Sequence, residues 1–357
     1  MRADLALVGF GHVGRRFATL LEERRDWLSL DYDLDCRIVG IATARHGCVV
    51  AGHGLDAIAA AQRENGDLQV NGAVPAHDSF EVIRHLARSD GSLRVLVETT
   101  TLDIGAGQPA IDHVRAALQA GCHVVTANKG PAAFAYEELS ALAADRGVSF
   151  LFEGAVMDGV PVFNLVRETL PAVDIFGFRG VINSTTNHIL SAIEDGESFD
   201  TALARMQAEG IAESDPSLDV DGWDAAAKAA ALANVLMRAQ ITPLGVDREG
   251  IGQATARLAM AAKGRGARVR LVASAARTPT GVLTSVRPVE LPESDMLAGL
   301  RGMANALILQ TDLLGEIAIT QLGGSLTQTA YALLSDLVTV GRRHRRAPSG
   351  AAPGRSR

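Results

Sequence analysis

The sequence predicts an α/β chain, with a doubly wound parallel sheet in its first half and a second domain of α+β type. Three observations carry this. Short apolar runs alternate with helical patterns up to about residue 152, and the alternation stops after Gly154. At 357 residues the chain is also too long for one ordinary core, so two domains are expected.

The elements follow in order. Residues 3–8 form a run of strand character. In 13–23, Val13, Phe17, Leu20 and Leu21 recur at helical spacing. Strands are expected at 37–42, 93–97, 122–126 and 148–152, with helices at 110–119 and 136–146. Strand then helix, repeated, gives βαβ units and a parallel sheet covered on both faces. Beyond Gly154 a strand is expected at 176–182, a helix from Asn187, and a helix at 201–209. An acidic loop at 213–222 opens the helix 224–237, and strands follow at 269–274 and 282–288. The amphipathic helix 327–340 returns to the first domain. The Arg-, Gly-, Pro- and Ser-rich tail 341–357 has no apolar periodicity and is expected to be disordered. The boundaries implied are 1–155, then 156–322 for substrate and dimer contacts, then 323–340 and the tail.

Composition excludes some functions. A net charge of −7 argues against nucleic acid or an anionic membrane as partner, since both call for a basic face. No apolar run approaches the length that spans a bilayer. The acidic start, with a glycine turn soon after, does not read as a signal peptide, so a cytoplasmic protein is expected. Cys36, Cys48 and Cys122 show no CxxC spacing and read as free thiols.

Gly9-Phe10-Gly11-His12-Val13-Gly14 fits G-x-G-x-x-G between the first strand and an amphipathic helix. Gly9 permits the turn, Gly11 lets a pyrophosphate approach the backbone, and Gly14 lets helix and strand pack closely. The helix N-terminus, with His12 and Val13 in its first turn, turns free N–H groups toward the diphosphate. The fold class is therefore a Rossmann-type dinucleotide-binding domain plus an α+β domain. The second strand runs into Ile41-Ala42-Thr43-Ala44-Arg45-His46, with no acid for a ribose 2′-hydroxyl. Arg45 suits a 2′-phosphate, so NADP is preferred and NAD also usable.

The richest segment runs from Gly210 to Lys228: GIAESDPSLDVDGWDAAAK. Asp224 and Lys228 are four apart and share a helix face. A lysine held among carboxylates stays protonated and can give a proton to a carbonyl as hydride arrives. Equally, an acidic helix start with an i,i+4 ion pair is common on any surface helix.

This segment resembles the homoserine dehydrogenase signature, with G-x-x-E-x-D-P-x-x-D-x-x-G-x-D-x-x-x-K intact. The resemblance extends to Glu98-Thr99-Thr100, Thr126-Ala127-Asn128-Lys129-Gly130, the stretch from Glu153 to Pro161, and Asn183-Ser184-Thr185-Thr186-Asn187. It implies interconversion of L-homoserine and L-aspartate 4-semialdehyde by a homodimer, in a short form without a C-terminal regulatory domain. By position, Lys228 is the acid–base residue and Lys129 the charge that stabilises the developing alkoxide. Glu213 and Asp224 hold the substrate amine, Asp219 supports them, and Thr185 lies beside the substrate. Thr100, Lys129 and Gly210 are implied at the cofactor. A monovalent cation, usually sodium, is implied at Glu153, Val156, Asp158 and Val160.

Four positions depart from the family pattern: Met206 for an alanine, Asp158 for a small residue, and Ser325 and Gln328 for a glycine and a proline. Two other readings stay open from sequence: a dehydrogenase of a related amino or hydroxy aldehyde, and a catalytically silent NAD(P)-binding sensor.

Overall fold

The computed structural model of the chain describes residues 1–62, 68, 72–208 and 215–346. The first half builds a seven-stranded sheet. Its strands are β1 (Arg2–Val8), β2 (Asp35–Ala42), β3 (Cys48–Val50), β4 (Val74–Ala76), β5 (Leu93–Glu98), β6 (His123–Thr126) and β7 (Phe150–Leu151), in the order β4-β3-β2-β1-β5-β6-β7. β1 pairs in parallel with β2 on one side and β5 on the other. The chain thus reverses its winding at β1, and a crevice opens at the carboxyl ends of β1 and β5, where ligands bind in open α/β sheets.

Covering helices explain the apolar run Leu5 to Val8 within β1. Leu5 and Leu7 pack with Phe17 of the helix His12–Glu23 and with Leu333 and Leu337 of the last helix. Ala6 and Val8 pack on the opposite face, with Ile83 and Leu86 of Ser79–Arg88 and Val114 of Ala110–Gln119.

Three expectations need correction here. The sheet is not wholly parallel, because β3 and β4 are antiparallel. The turn 43–47 between β2 and β3 is too short for a crossover, which takes a dozen or more residues. The helix expected from Asn187 is Ser184–Glu194; it starts early because the Asn183 side chain accepts from Thr186 N and caps it. The last helix, Leu326–Arg346, runs six residues into the expected disordered tail. Its final turn carries Arg343, His344, Arg345 and Arg346, cations that suit a helix C-terminus, and Arg343 pairs with Glu168 at 2.6 Å. The rest of the expected tail lies outside the described residues.

The second half builds a six-stranded sheet from β8 (Ile175–Val181), β9 (Asp247–Arg248), β10 (Ala267–Thr278), β11 (Gly281–Pro292), β12 (Asn305–Thr311) and β13 (Gly315–Gln321). The order is β13-β12-β8-β10-β11-β9. β10 and β11 form a hairpin much longer than its apolar stretches suggest, and the hairpin β12–β13 is new relative to the sequence reading. The helices Ser184–Glu194, Trp223–Met237 and Gln253–Lys263 pack against β10.

Trp223–Met237 positions the site. Its alanines 225–227 and 229–231 are all buried, and so small a side chain lets backbones approach closely. The helix also lies against Gly130–Phe134 of the first half, where Asn234 Nδ2 donates to the carbonyls of Ala132 and Ala133, each at 3.2 Å. Lys228 is thereby carried to the carboxyl end of β6, beside Lys129.

Candidate active site

The glycine loop is built for close approach. Gly9 has φ 90°, and a Cβ there would lie 2.4 Å from the Thr99 carbonyl carbon. A Cβ on Gly14 would lie 2.5 Å from the Gly9 oxygen. Gly11 differs: an added Cβ would meet nothing within 4 Å. Gly11 also offers no side-chain cap, and the first turn of His12–Glu23 holds no acid. Free N–H groups therefore face open space, the arrangement that binds an anion. These residues fit a dinucleotide diphosphate. Arg45 stands exposed in the turn between β2 and β3, where Thr43 N and Oγ1 both donate to the Gly47 carbonyl at 3.0 Å.

A cavity of about 240 Å³ runs from this loop to the lysines, lined by Val13, Thr100, Lys129, Asp158, Lys228 and Thr329. A larger cavity of about 710 Å³ lies between His12–Glu23 and residues 53–58 and holds none of these side chains.

At the inner end, one carboxylate joins two lysines. Asp224 Oδ2 lies 2.9 Å from Lys228 Nζ, and Asp224 Oδ1 lies 3.1 Å from Lys129 Nζ. All three side chains are largely buried. Asp224–Lys228 is thus the i,i+4 pair that a surface helix would show. Burial and a second lysine from another part of the chain remove it from that class. Burial alone would push the Asp224 carboxyl up, but the ammonium groups of Lys129 and Lys228 hold it well below the usual carboxylate range. Burial alone would likewise lower Lys228; Asp224 foremost, then Asp158 and Asp219, keep it raised. Lys228 Nζ also donates to the Ile182 carbonyl at 2.7 Å, so one of its three N–H donors is left for a ligand.

Asn183 ties the remaining acid in. Its Nδ2 donates to Asp219 Oδ1 at 2.7 Å and to Asp224 Oδ2 at 2.9 Å. Burial, then the nearby Asp224 charge, raises Asp219, while hydrogen bonds from Asn183 and Thr185 oppose the rise. Thr185 is buried on the first turn of Ser184–Glu194. Glu213 and Gly210 lie outside the described residues.

Behind the cofactor side stands Glu98, at the end of β5 and fully buried. Its Oε1 accepts from Thr100 N at 2.9 Å and from Thr100 Oγ1, and its Oε2 accepts from Thr126 Oγ1 at 2.8 Å. Burial pushes its carboxyl up to about 7 against these donors. Asn128 completes the frame, donating to the Thr100 carbonyl at 2.9 Å and accepting from Gly130 N at 2.8 Å. This network fixes Thr100 and, through Asn128 N and Gly130 N, the backbone on either side of Lys129.

In the loop where the resemblance implies a cation, the glutamate is engaged by the backbone. Glu153 Oε1 accepts from Val162 N at 2.6 Å and Phe163 N at 2.9 Å, and Oε2 from Asn164 N at 2.6 Å, so Glu153 holds the start of Phe163–Thr169. Its own N donates to buried Asp336 at 2.8 Å. Burial, then the nearby Glu153 charge, pushes the Asp336 carboxyl up to about 7, and burial raises Glu153 as well. Among the described residues no group of three or more His, Cys, Asp and Glu side chains gathers to hold a metal, so carbonyl oxygens would have to supply the other ligands.

Asn183, Glu98 and Asn128 stand in the resembling stretches, but sequence reasoning gave none of them a role. An asparagine directly before a helix was the available signal for Asn183. Glu98 and Asn128 act through folded geometry alone.

A glycine loop at a helix N-terminus, opening on a cavity that ends at two lysines sharing one buried carboxylate, defines a nicotinamide-dependent oxidoreductase. Residues 9–153 match the NAD-binding domain of homoserine dehydrogenase, and residues 161–338 match the family's homoserine dehydrogenase domain. The chain belongs to the homoserine dehydrogenase family. It is 36% identical over 340 residues to an NAD(+)-dependent homoserine dehydrogenase of Pseudomonas canavaninivorans, covering 94% of this chain and 95% of that one. Among solved structures it resembles a homoserine dehydrogenase from Thiobacillus denitrificans, with TM-score 0.82 and 31% identity, covering 99% of this chain and 76% of that one. It also resembles a hyperthermophilic archaeal homoserine dehydrogenase in complex with NADPH, with TM-score 0.78 and 27% identity, covering 96% and 98%. Among the described residues no helix is long and apolar enough to cross a membrane.

Proposed function

We propose that the chain interconverts L-homoserine and L-aspartate 4-semialdehyde, with Lys228 as the acid–base residue. The observation that carries this reading is the shared carboxylate: Asp224 holds Lys129 and Lys228 together at the end of the cavity. When bound, the nicotinamide gives or takes the hydride at the substrate carbon. Lys228 then gives its proton to the oxygen of the aldehyde as that oxygen gains charge, or takes it from the hydroxyl in the reverse direction. Lys129 adds a second positive charge for the developing alkoxide. Asp219 and Thr185 line the substrate side, and Glu213 and Asp224 serve the ammonium.

Gly9, Gly11, His12, Val13, Gly14, Thr100, Lys129 and Gly210 hold the cofactor. NADP is the proposed preference, since Arg45 is exposed where an NAD site carries an acid. A relative named for NAD(+) and another solved with NADPH leave this choice to the chain's own turn. Sodium is proposed at Glu153 and the carbonyls of Val156, Asp158 and Val160. A homodimer is proposed through the outer face of the six-stranded sheet, where Ala276 and Leu283 lie in register and exposed. Three unpaired cysteines agree with a cytoplasmic place.

The test is homoserine oxidation with NADP+, followed by the appearance of NADPH, in wild type and Lys228→Ala. The variant should lose on the order of 10²–10⁴-fold in kcat while keeping cofactor affinity. More than half of wild-type kcat would refute the assignment.

A further inference from the structure

We propose that Asp158 sets the preference for the redox state of the nicotinamide, its carboxylate favouring the oxidised, cationic ring over the reduced, neutral one. This rests on the function proposed above.

Asp158 is a non-glycine residue at φ 49°, in the left-handed region that such residues seldom adopt. Its carboxylate is fixed from two sides. Thr329 Oγ1 donates to Oδ1 at 3.0 Å, and Gln321 Nε2 donates to Oδ2 at 3.0 Å. Gln321 Nε2 also donates to Gln328 Oε1 at 3.0 Å. The two loops meet with no room between them: a Cβ on Gly324 would lie 2.7 Å from Asp158 Oδ2, and one on Gly159 would lie 2.6 Å from the Gln328 carbonyl. The acid is therefore held in one place, facing the cavity that runs from Val13 to Lys129 and Lys228.

Charge accounting at that cavity gives Asp158 its role. The two ammonium groups oppose a cationic ring. Asp224 balances one of these two charges. Asp158 hydrogen-bonds neutral donors, so its full charge acts on whatever fills the cavity. Its field already reaches Lys228. A nicotinamide ring carries one positive charge when oxidised and none when reduced. A fixed carboxylate beside it acts on one state and leaves the other nearly untouched.

The test measures dissociation constants of NADP+ and NADPH, and of NAD+ and NADH, by calorimetry, with and without sodium. In Asp158→Asn the ratio of the oxidised to the reduced constant should rise on the order of tenfold. Asp158→Ser, which removes the charge with a different shape, should move it likewise. Gln321→Ala loosens the clamp and keeps the charge, so both constants should change by one common factor. The proposal is overturned if the ratio in both Asp158 variants stays within about twofold of wild type, or moves as far in Gln321→Ala, or moves only when sodium is present. A wild type that binds both cofactors but leaves homoserine unchanged refutes the proposed function; the binding ratio is still read independently.

Discussion

Replacing Asp224 with asparagine keeps the size of the side chain and removes the charge that joins the two lysines. The carboxylate lies 2.9 Å from Lys228 and 3.1 Å from Lys129. At an effective dielectric of about 20, each such pair attracts by roughly 5–6 kcal/mol before desolvation is counted. Removing one partner from a buried pair leaves a net loss of about 3–5 kcal/mol. At about 1.4 kcal/mol per pH unit, the basic limb of the pH–rate profile should move down by about two to four units. Lys228 would then be neutral through much of the range where wild type holds it protonated. Aldehyde reduction at mildly alkaline pH should fall on the order of 100-fold, with NADPH affinity little changed.

The sign for stability follows from the same shifts. Asp224 lies below its ordinary 3.8, so its contribution is present above that pH and lost as pH falls through its folded value. Lys228 lies above its ordinary 10.5, so its contribution is present below that pH and lost above its folded value. Between those limits Asp224→Asn should lower the denaturant midpoint at every pH. The assay is kcat across the pH range, with urea titrations at neutral pH. Unchanged limbs and more than half of wild-type kcat would refute the coupling of the lysines through Asp224.

Other outcomes follow from single residues. Gly11→Ala should fold as wild type yet weaken cofactor binding on the order of tenfold, because its open space serves the ligand, whereas Gly9→Ala should destabilise the fold; thermal melts and cofactor titrations separate the two. Glu98 titrates near 7 against an ordinary 4.5, so stability should fall as pH rises between those values, by at most about 3 kcal/mol, and Glu98→Gln should flatten that slope in urea titrations. Glu213→Gln should weaken kcat/KM for homoserine about 5- to 150-fold and scarcely affect 4-hydroxybutyrate, which lacks the amine; equal losses on both would mark Glu213 as structural.

Much of the framework was readable from the chain itself. β1, the helix after the glycine loop and Ala110–Gln119 follow from apolar periodicity, because that pattern is the local record of which faces are buried. The uses of Gly9 and Gly14 were legible for a related reason: absent side chains matter wherever backbones touch. The hairpin β12–β13 was not legible, since pairing partners lie outside any local window. Nor was the length of the last helix, which depends on contacts of its final turn such as Arg343 with Glu168.

The site divides the same way. Sequence spacing put Asp224 and Lys228 on one helix face, and it could do no more than that. That Lys129, 95 positions before Asp224, shares the same carboxylate is decided by the close approach of an alanine-rich helix to Gly130–Phe134. Asn183 bridging Asp219 and Asp224, Glu98 beneath Thr100, and Asp158 clamped by Gln321 and Thr329 are likewise tertiary facts. The physical reason is range. Periodicity and turn chemistry act between near neighbours along the chain, whereas the protonation of a buried lysine is set by charges within a few ångströms in space, whatever their distance in sequence.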